Sequence, residues 1–178
     1  IARRQRQMCI RDRYGQEYYK YPDKIVDLST KQRTIDKIIT DCFEQIVYSI
    51  NQPTGARNFQ AVFWNVAYYD KYYFESLFGN FFFPDGSQPD WNSLSWLQKR
   101  FMKWFNKERT RTVLTFPVET MALLTKDGDV LDKEYGDFTA EMYSEGHSFF
   151  TYMSDNADSL SSCCRRRNEI QDNGFSYT

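Results

Sequence analysis

Two adjacent cysteines run into three arginines, Cys163-Cys164-Arg165-Arg166-Arg167, and this is the most chemically loaded stretch of the sequence. Neighbouring positive charge favours a thiolate over a thiol, so one reactive sulfur is the functional expectation here. On an extended backbone successive side chains point to opposite sides, and only one of the two can face a given cavity. The structural alternative is an inert buried cysteine beside a solvated basic turn. The arginines offer planar forks of donors to a phosphate or carboxylate, or they pair internally with Glu169 or Asp172. No Gly-rich phosphate loop accompanies them.

Other candidates are scattered. Asn51-Gln52-Pro53-Thr54 sets two amides before a proline turn, followed by Arg57 and Asn58; amides can read a nucleotide or its sugar, and they are also ordinary turn residues. Asn65 follows Phe63 and Trp64, and a polar group among aromatics must find a structural partner or a ligand. The single histidine, His147, leaves Ser-His and Cys-His hydrolase chemistry only one base and excludes a local His-rich metal site. Glu141 and Glu145 share a helical face and can divide acid and base roles, although a solvated surface pair explains them as well. Cys9 and Cys42 complete the cysteines. No CxxC or Cys/His ligand spacing appears and adjacent cysteines make a poor disulfide, so a reducing compartment is expected.

The elements that must hold these residues read as mixed helix and strand. Ile35, Ile38, Ile39, Cys42, Ile46 and Ile50 recur at helical spacing and predict a helix over 28–50, stopped by Pro53 and Gly55. A buried strand is expected over 59–65 and a short helix over 70–78. Pro84-Asp85-Gly86 marks a turn. Asp90 then opens the clearest helix, with Trp91, Leu94, Leu97, Phe101, Trp104 and Phe105 on its apolar face and Lys99, Arg100, Lys103, Lys107 and Arg109 on a wet one. A strand over 113–116 is expected to run into Pro117, a turn to lie at 126–129, and a helix capped by Asp137 to fray near Gly146. The sequence after Ser154 lacks periodicity, yet its last residues look like the start of a strand. Parallel pairing across helical crossovers fits this order, giving an α/β class.

The 178 residues carry 23 Lys+Arg against 24 Asp+Glu, so no whole-chain attraction to nucleic acid is expected. No apolar run approaches membrane-spanning length. The near-neutral sum hides a basic head: residues 1–13 contain five arginines and one aspartate. This head has no apolar segment of a secretory signal. It reads as foreign to the fold, like a translated sequencing adapter, with a nucleic-acid-binding arm as the alternative. Residues 14–178 then form the domain.

Longer strings are more specific than any of these residues. Gly146–Tyr152, Asp158–Arg165 and Arg167–Asn173 closely resemble the anaerobic (class III) ribonucleoside-triphosphate reductases. Ser49–Thr54, Val62–Asn65, Phe83–Ser87, Trp96–Phe105 and Leu114–Thr120 support the resemblance, which runs from about Asp27 to Thr178. It implies a fragment of the ten-stranded glycyl radical enzyme barrel, incomplete by itself. It implies that Cys164, before Arg165, carries the transient thiyl radical on the finger loop. Asn51, Asn65 and Arg165 are the candidates for substrate contact. Cys163 is not placed, and neither Cys9 nor Cys42 has the surroundings of the family's second thiol, so the reductant is formate or a thiol.

By the same resemblance, the thiyl radical abstracts the 3′-hydrogen of a ribonucleoside triphosphate and the 2′-hydroxyl leaves as water. The glycyl radical lies outside this chain, as do the family's zinc site and its ATP and dNTP effector sites. The implied partners are the nucleotide substrate, a radical SAM activating enzyme and a second copy in a homodimer, with neither nucleic acid nor membrane. A cytoplasmic location and an inactive fragment are expected. Arg166 stands where the family commonly has leucine, and Gly174 where threonine is common; a buried, unpaired Arg166 would cost several kcal/mol. The competing functions are another glycyl radical enzyme and a non-catalytic nucleotide-sensing or interaction module.

Overall fold

The computed structural model describes residues 17–28, 31–55, 58–157, 160–161, 167–171 and 174–177. After a 3-10 turn at Tyr18–Lys20 come strands β1 (Ile25–Leu28) and β2 (Lys31–Thr34), helix α1 (Ile35–Asn51), strand β3 (Asn65–Tyr69), and helices α2 (Lys71–Phe78) and α3 (Trp91–Arg109). Strands β4 (Val118–Lys126) and β5 (Asp129–Val130), helix α4 (Lys133–Ser144), and strands β6 (Phe150–Ser154), β7 (Leu160–Ser161), β8 (Arg167–Gln171) and β9 (Gly174–Tyr177) follow. Two units emerge: residues up to Phe63 with Asn92–Phe116, and Trp64–Trp91 with Pro117 onward.

In the first unit α1 begins at Ile35, the first residue of its apolar stripe and seven residues after the expected start at 28. Thr34 is extended and its hydroxyl accepts the Lys37 N–H at 3.2 Å, a helix cap. The residues before it pair instead as an antiparallel hairpin, Ile25 opposite Thr34 through Leu28 opposite Lys31. The buried stripe is Ile35, Ile39, Phe43 and Val47, while Cys42 is exposed and Ile38, Ile46 and Ile50 are half-buried. Aromatic packing sets that rotation: Phe43 meets Phe101 edge to face at 5.0 Å and Trp104 at 5.6 Å.

Helix α3 spans the predicted residues. Its C-terminal half buries Phe101, Met102, Trp104 and Phe105, but its N-terminal half buries Ser93 and Gln98 in place of the expected Leu94 and Leu97. Ser93 is satisfied there by donating to the Tyr18 hydroxyl at 2.9 Å. The basic side is partly committed within the unit. Arg100 pairs with Asp36 at 2.5 Å and Arg109 lies 5.4 Å over the Phe105 ring.

Two expected strands are absent. Over 59–64, Asn58 and Phe59 take φ of 50° and 62° and close a turn through N–H bonds to Gly55 and Thr54 carbonyls, which leaves Phe59 exposed. Over 113–116, Val113 is 93% exposed and the backbone bonds to a side chain, that of Asn51. The strand starts only after Pro117, which has no N–H to give a ladder.

In the second unit β4 is flanked by two parallel neighbours. Asn65 lies beside Val118 through Tyr69 beside Ala122, and Thr120 beside Phe150 through Leu124 beside Ser154. This is the anticipated parallel pairing across crossovers that contain helices. The turn at 126–129 joins β4 to β5 as a two-residue hairpin loop, with Asp127 and Gly128 at φ of 53° and 84°. Helix α4 is capped by Asp132, not by Asp137, because the Asp132 carboxylate accepts the Tyr135 N–H at 3.0 Å. The helix closes where Gly146 adopts φ of 83°: its N–H donates to the Tyr143 carbonyl and the His147 N–H to that of Met142. Beyond Ser154, where irregular chain was expected, β7, β8 and β9 pair as an antiparallel meander, and the terminal strand is present. The class is α/β with mixed sheets; among the described residues no closed barrel forms.

Asp70 fastens this unit at the end of β3. Fully buried, it accepts N–H bonds from Tyr73 at 2.8 Å, capping α2, and from Leu124 of β4 at 2.6 Å. Burial, aided by the nearby Asp132 charge, raises its pKa against the pull of those bonds. A raised folded pKa means the folded state holds the proton more tightly. Asp70's contribution to stability is therefore fullest below the unfolded pKa and is lost as pH rises through the folded value. The stability difference between wild type and Asp70→Asn should shift against wild type from about pH 4 toward neutrality. Urea midpoints at several pH values test this, and a difference moving in wild type's favour would contradict it.

Candidate functional site

The three parallel strands give one sheet two chemically different faces. Val66 and Tyr68 of β3 are buried, while Asn65, Ala67 and Tyr69 alternate with them and stay half-exposed. By register, Glu119, Met121 and Leu123 of β4 share the buried face, and Val118 and Thr120 share the other with Asn65 and with Tyr152 of β6. The half-exposed face thus carries an amide, a hydroxyl and phenols, with the exposed ring of Phe150 beside Thr120. On the buried face Tyr68 donates to the Glu119 carboxylate at 2.5 Å, with both residues about 2% exposed or less.

At the carboxyl ends of β4 and β6 lies a cleft of about 640 Å³, lined by Thr125, Asp127, Gly128, Tyr152, Met153, Ser154 and Asp155. Crevices at this end of parallel strands are the usual place for ligands in open α/β sheets. Ser154 shapes the exit from β6: its hydroxyl donates to the Asn156 carbonyl and accepts the Asn156 N–H, each at 3.1 Å. Tyr73, also buried, has its phenol pushed up to about 12, chiefly by burial, so it is a neutral donor at physiological pH.

The candidates are distributed over both units. In the first, Asn51 uses every hydrogen-bonding position of its amide inside the unit. Its Nδ2 donates to the Val47 and Phe116 carbonyls at 2.8 and 2.6 Å, and its Oδ1 accepts the Thr115 and Phe116 N–H groups at 3.0 Å each. In the second, Asn65 opens β3 on the half-exposed face. His147 is buried after α4, with Nε2 3.4 Å from an exposed Glu145 carboxylate, and Glu141 is exposed on the same helix. Cys9, Cys163, Cys164, Arg165, Arg166 and the basic head lie outside the described residues.

Sequence reasoning missed Asp70 as a fastener of β4 and the Tyr68–Glu119 pair. Glu119 did carry a signal, a lone carboxylate within the apolar run Val118–Leu124. Among the described residues no group of three or more His, Cys, Asp or Glu side chains is placed to hold a metal ion, and no helix is long and apolar enough to cross a membrane.

Comparison with known proteins places these features in context. A family model described as anaerobic ribonucleoside-triphosphate reductase matches residues 12–178. Among solved structures, the anaerobic ribonucleotide reductase from Thermotoga maritima with citrate in the active site is 34% identical, with a TM-score of 0.64 over 70% of this chain and 22% of its own. The same organism's enzyme in complex with dATP and CTP is 34% identical, with a TM-score of 0.64 over 72% of this chain and 22% of its own. With MES in the active site it is 35% identical, with a TM-score of 0.66 over 73% and 22%. The chain therefore spans about a fifth of the length of these relatives. No curated protein gives a significant match.

Proposed function

Because this chain belongs to the anaerobic ribonucleoside-triphosphate reductase family, we propose that it contributes part of the catalytic barrel domain, residues 14–178, to an enzyme that reduces ribonucleoside triphosphates to their deoxy forms by thiyl radical chemistry. The observation that carries this reading is the family match running from residue 12 through the Cys163-Cys164-Arg165 segment. The parallel sheet supports it, since β6 precedes that segment in the chain and carries the half-exposed phenol of Tyr152 on the same sheet face as Asn65 and Thr120.

In this reading Cys164 forms the thiyl radical. Held near the ribose, it takes the 3′-hydrogen as the sulfur–hydrogen bond forms, which activates the neighbouring 2′-hydroxyl for loss as water. Returning that hydrogen after reduction regenerates the radical. The protein's part is orientation and exclusion of water from the reacting atoms. Arg165 supplies a fork of donors suited to phosphate, and Asn65 lies on the sheet face available to a sugar. Asn51 acts through the backbone, holding 115–116 at the entry to β4, and not through the nucleotide. Replacing it with alanine should cost about 2 kcal/mol in unfolding free energy while leaving the nucleotide KM of the complete enzyme unchanged. A raised KM at unchanged stability would instead make it a substrate contact.

The stored glycyl radical, a zinc site and the ATP and dNTP effector sites belong, in this reading, to parts of the full-length protein beyond these 178 residues. The reductant is formate or a thiol, the activating partner a radical SAM enzyme, the assembly a homodimer and the location cytoplasmic. In this reading the basic head, residues 1–13, is foreign to the domain up to its last two residues, where the family match begins. The chain by itself is inactive. The test is direct: the complete reductase containing these residues, activated anaerobically, should convert ribonucleoside triphosphates to deoxy products detectable by mass spectrometry. Absence of deoxy product from all four common substrates, with the glycyl radical verified by electron paramagnetic resonance, would overturn the reading.

A further inference from the structure

Among the described residues, Tyr68 and Glu119 form a buried phenol–carboxylate contact in the second unit's sheet that no step above uses. Its oxygens lie 2.5 Å apart across adjacent parallel strands, and Tyr68 and Glu119 are 1% and 2% exposed. Oxidising a phenol by one electron makes it a strong acid, so the reaction needs a base already in hydrogen-bond contact; a carboxylate at this distance is one. Burial does the rest, because it keeps water and solutes from reaching the oxidised ring. The comparable contact in the first unit, Tyr48 to Glu108 at 2.7 Å, is only half-buried and shares its phenol with Thr112 at 3.5 Å.

We propose that Tyr68 and Glu119 form a proton-coupled redox site. A one-electron oxidant removes an electron from the Tyr68 phenol as the phenolic proton crosses to Glu119, leaving a neutral phenoxyl radical and a protonated carboxyl group. Return of one electron reverses both transfers. Where the oxidant is a thiyl radical, the electron converts it to thiolate; that biological role rests on the reductase reading, whereas the redox pair does not. The site is thus a place where an unpaired electron can be held apart from substrate.

The experiment uses the full chain and a photoexcited ruthenium complex with persulfate as the one-electron oxidant, followed by electron paramagnetic resonance. A long-lived phenoxyl signal is expected, bearing tyrosine ring-proton couplings that collapse on ring deuteration. It should be lost in Tyr68→Phe and retained in Tyr143→Phe, which removes a 47% exposed tyrosine. Glu119→Gln preserves a hydrogen-bond acceptor for the phenol but cannot take its proton, so the folded variant should also lose the signal. A long-lived signal that persists in both Tyr68→Phe and Glu119→Gln, or no long-lived signal in the wild type, would overturn the proposal. Signal in Glu119→Gln alone would assign the ring but reject the carboxylate as base, which also overturns it. None of these outcomes depends on nucleotide reduction, so failure of the pair and failure of the reductase reading are separable.

Discussion

Replacing Cys164 with serine in the complete, activated reductase is expected to lower turnover to at most about a thousandth of the wild-type rate, as removal of an obligatory reacting group does. Serine keeps the size and a hydrogen-bonding group, so the loss is chemical. An O–H bond is much stronger than an S–H bond, and a serine side chain cannot shuttle a hydrogen atom to and from a sugar at usable cost. Nucleotide binding should be nearly unchanged, because the sulfur contributes little to the ground-state complex. Cys163→Ser is the informative companion: on an extended backbone two successive side chains cannot both face the ribose, and the expectation is that it retains far more activity than Cys164→Ser. Equal loss in both would mean that the assignment between the two neighbours does not follow from side-chain direction, and retained turnover in Cys164→Ser would remove it from the chemistry altogether.

The largest expected effect on stability lies in the first unit. Phe105→Ala should lower the unfolding free energy by about 3–5 kcal/mol. Phe105 is fully buried, stacks on Phe101 at 5.8 Å with the rings 12° apart, and lies beneath the Arg109 guanidinium at 5.4 Å. Truncation therefore removes apolar burial, ring contacts and a cation's seat together. Lys103→Ala, exposed two residues before, should change stability by less than about 0.5 kcal/mol. Chemical denaturation followed by fluorescence of the tryptophans distinguishes the two. A loss below about 1.5 kcal/mol for Phe105→Ala would show that the aromatic cluster repacks.

How much of this was legible beforehand varies with the kind of signal. Helices α2 and α3 were readable because Asp70 and Asp90 precede strongly apolar turns. The turn at 126–129 was readable because Asp-Gly adopts positive φ cheaply. Boundaries failed where a side chain outcompeted a pattern. Thr34 caps α1 inside the expected helix over 28–50, just ahead of its apolar stripe, and Asp132 caps α4 five residues ahead of the equally suitable Asp137. The residues over 113–116 have strand composition, yet Asn51, distant in sequence, takes the hydrogen bonds a partner strand would have taken.

The functional residues divide along the same line. The cysteine–arginine segment and the long strings around it were visible as sequence, because their meaning lies in order and identity. The committed state of the Asn51 amide, the fastening of β4 by Asp70 and the burial of Glu119 against Tyr68 were not, since each depends on which distant backbone arrives beside the side chain. A polar residue in a sequence announces only that a partner is required. The fold decides whether that partner is a substrate or the chain itself.

The central claim is that one sulfur of this chain takes a hydrogen atom from the sugar of a ribonucleotide. Comparing the turnover of 3′-deuterated and unlabelled ribonucleoside triphosphate by the activated complete enzyme tests it most directly. Slower turnover of the deuterated substrate by wild type, with the deuterium retained at the 3′ position of the product, and no turnover of either substrate by Cys164→Ser, is the predicted result. Deoxynucleotide formation with no 3′-isotope effect on rate, or equal turnover by the serine variant, would contradict it.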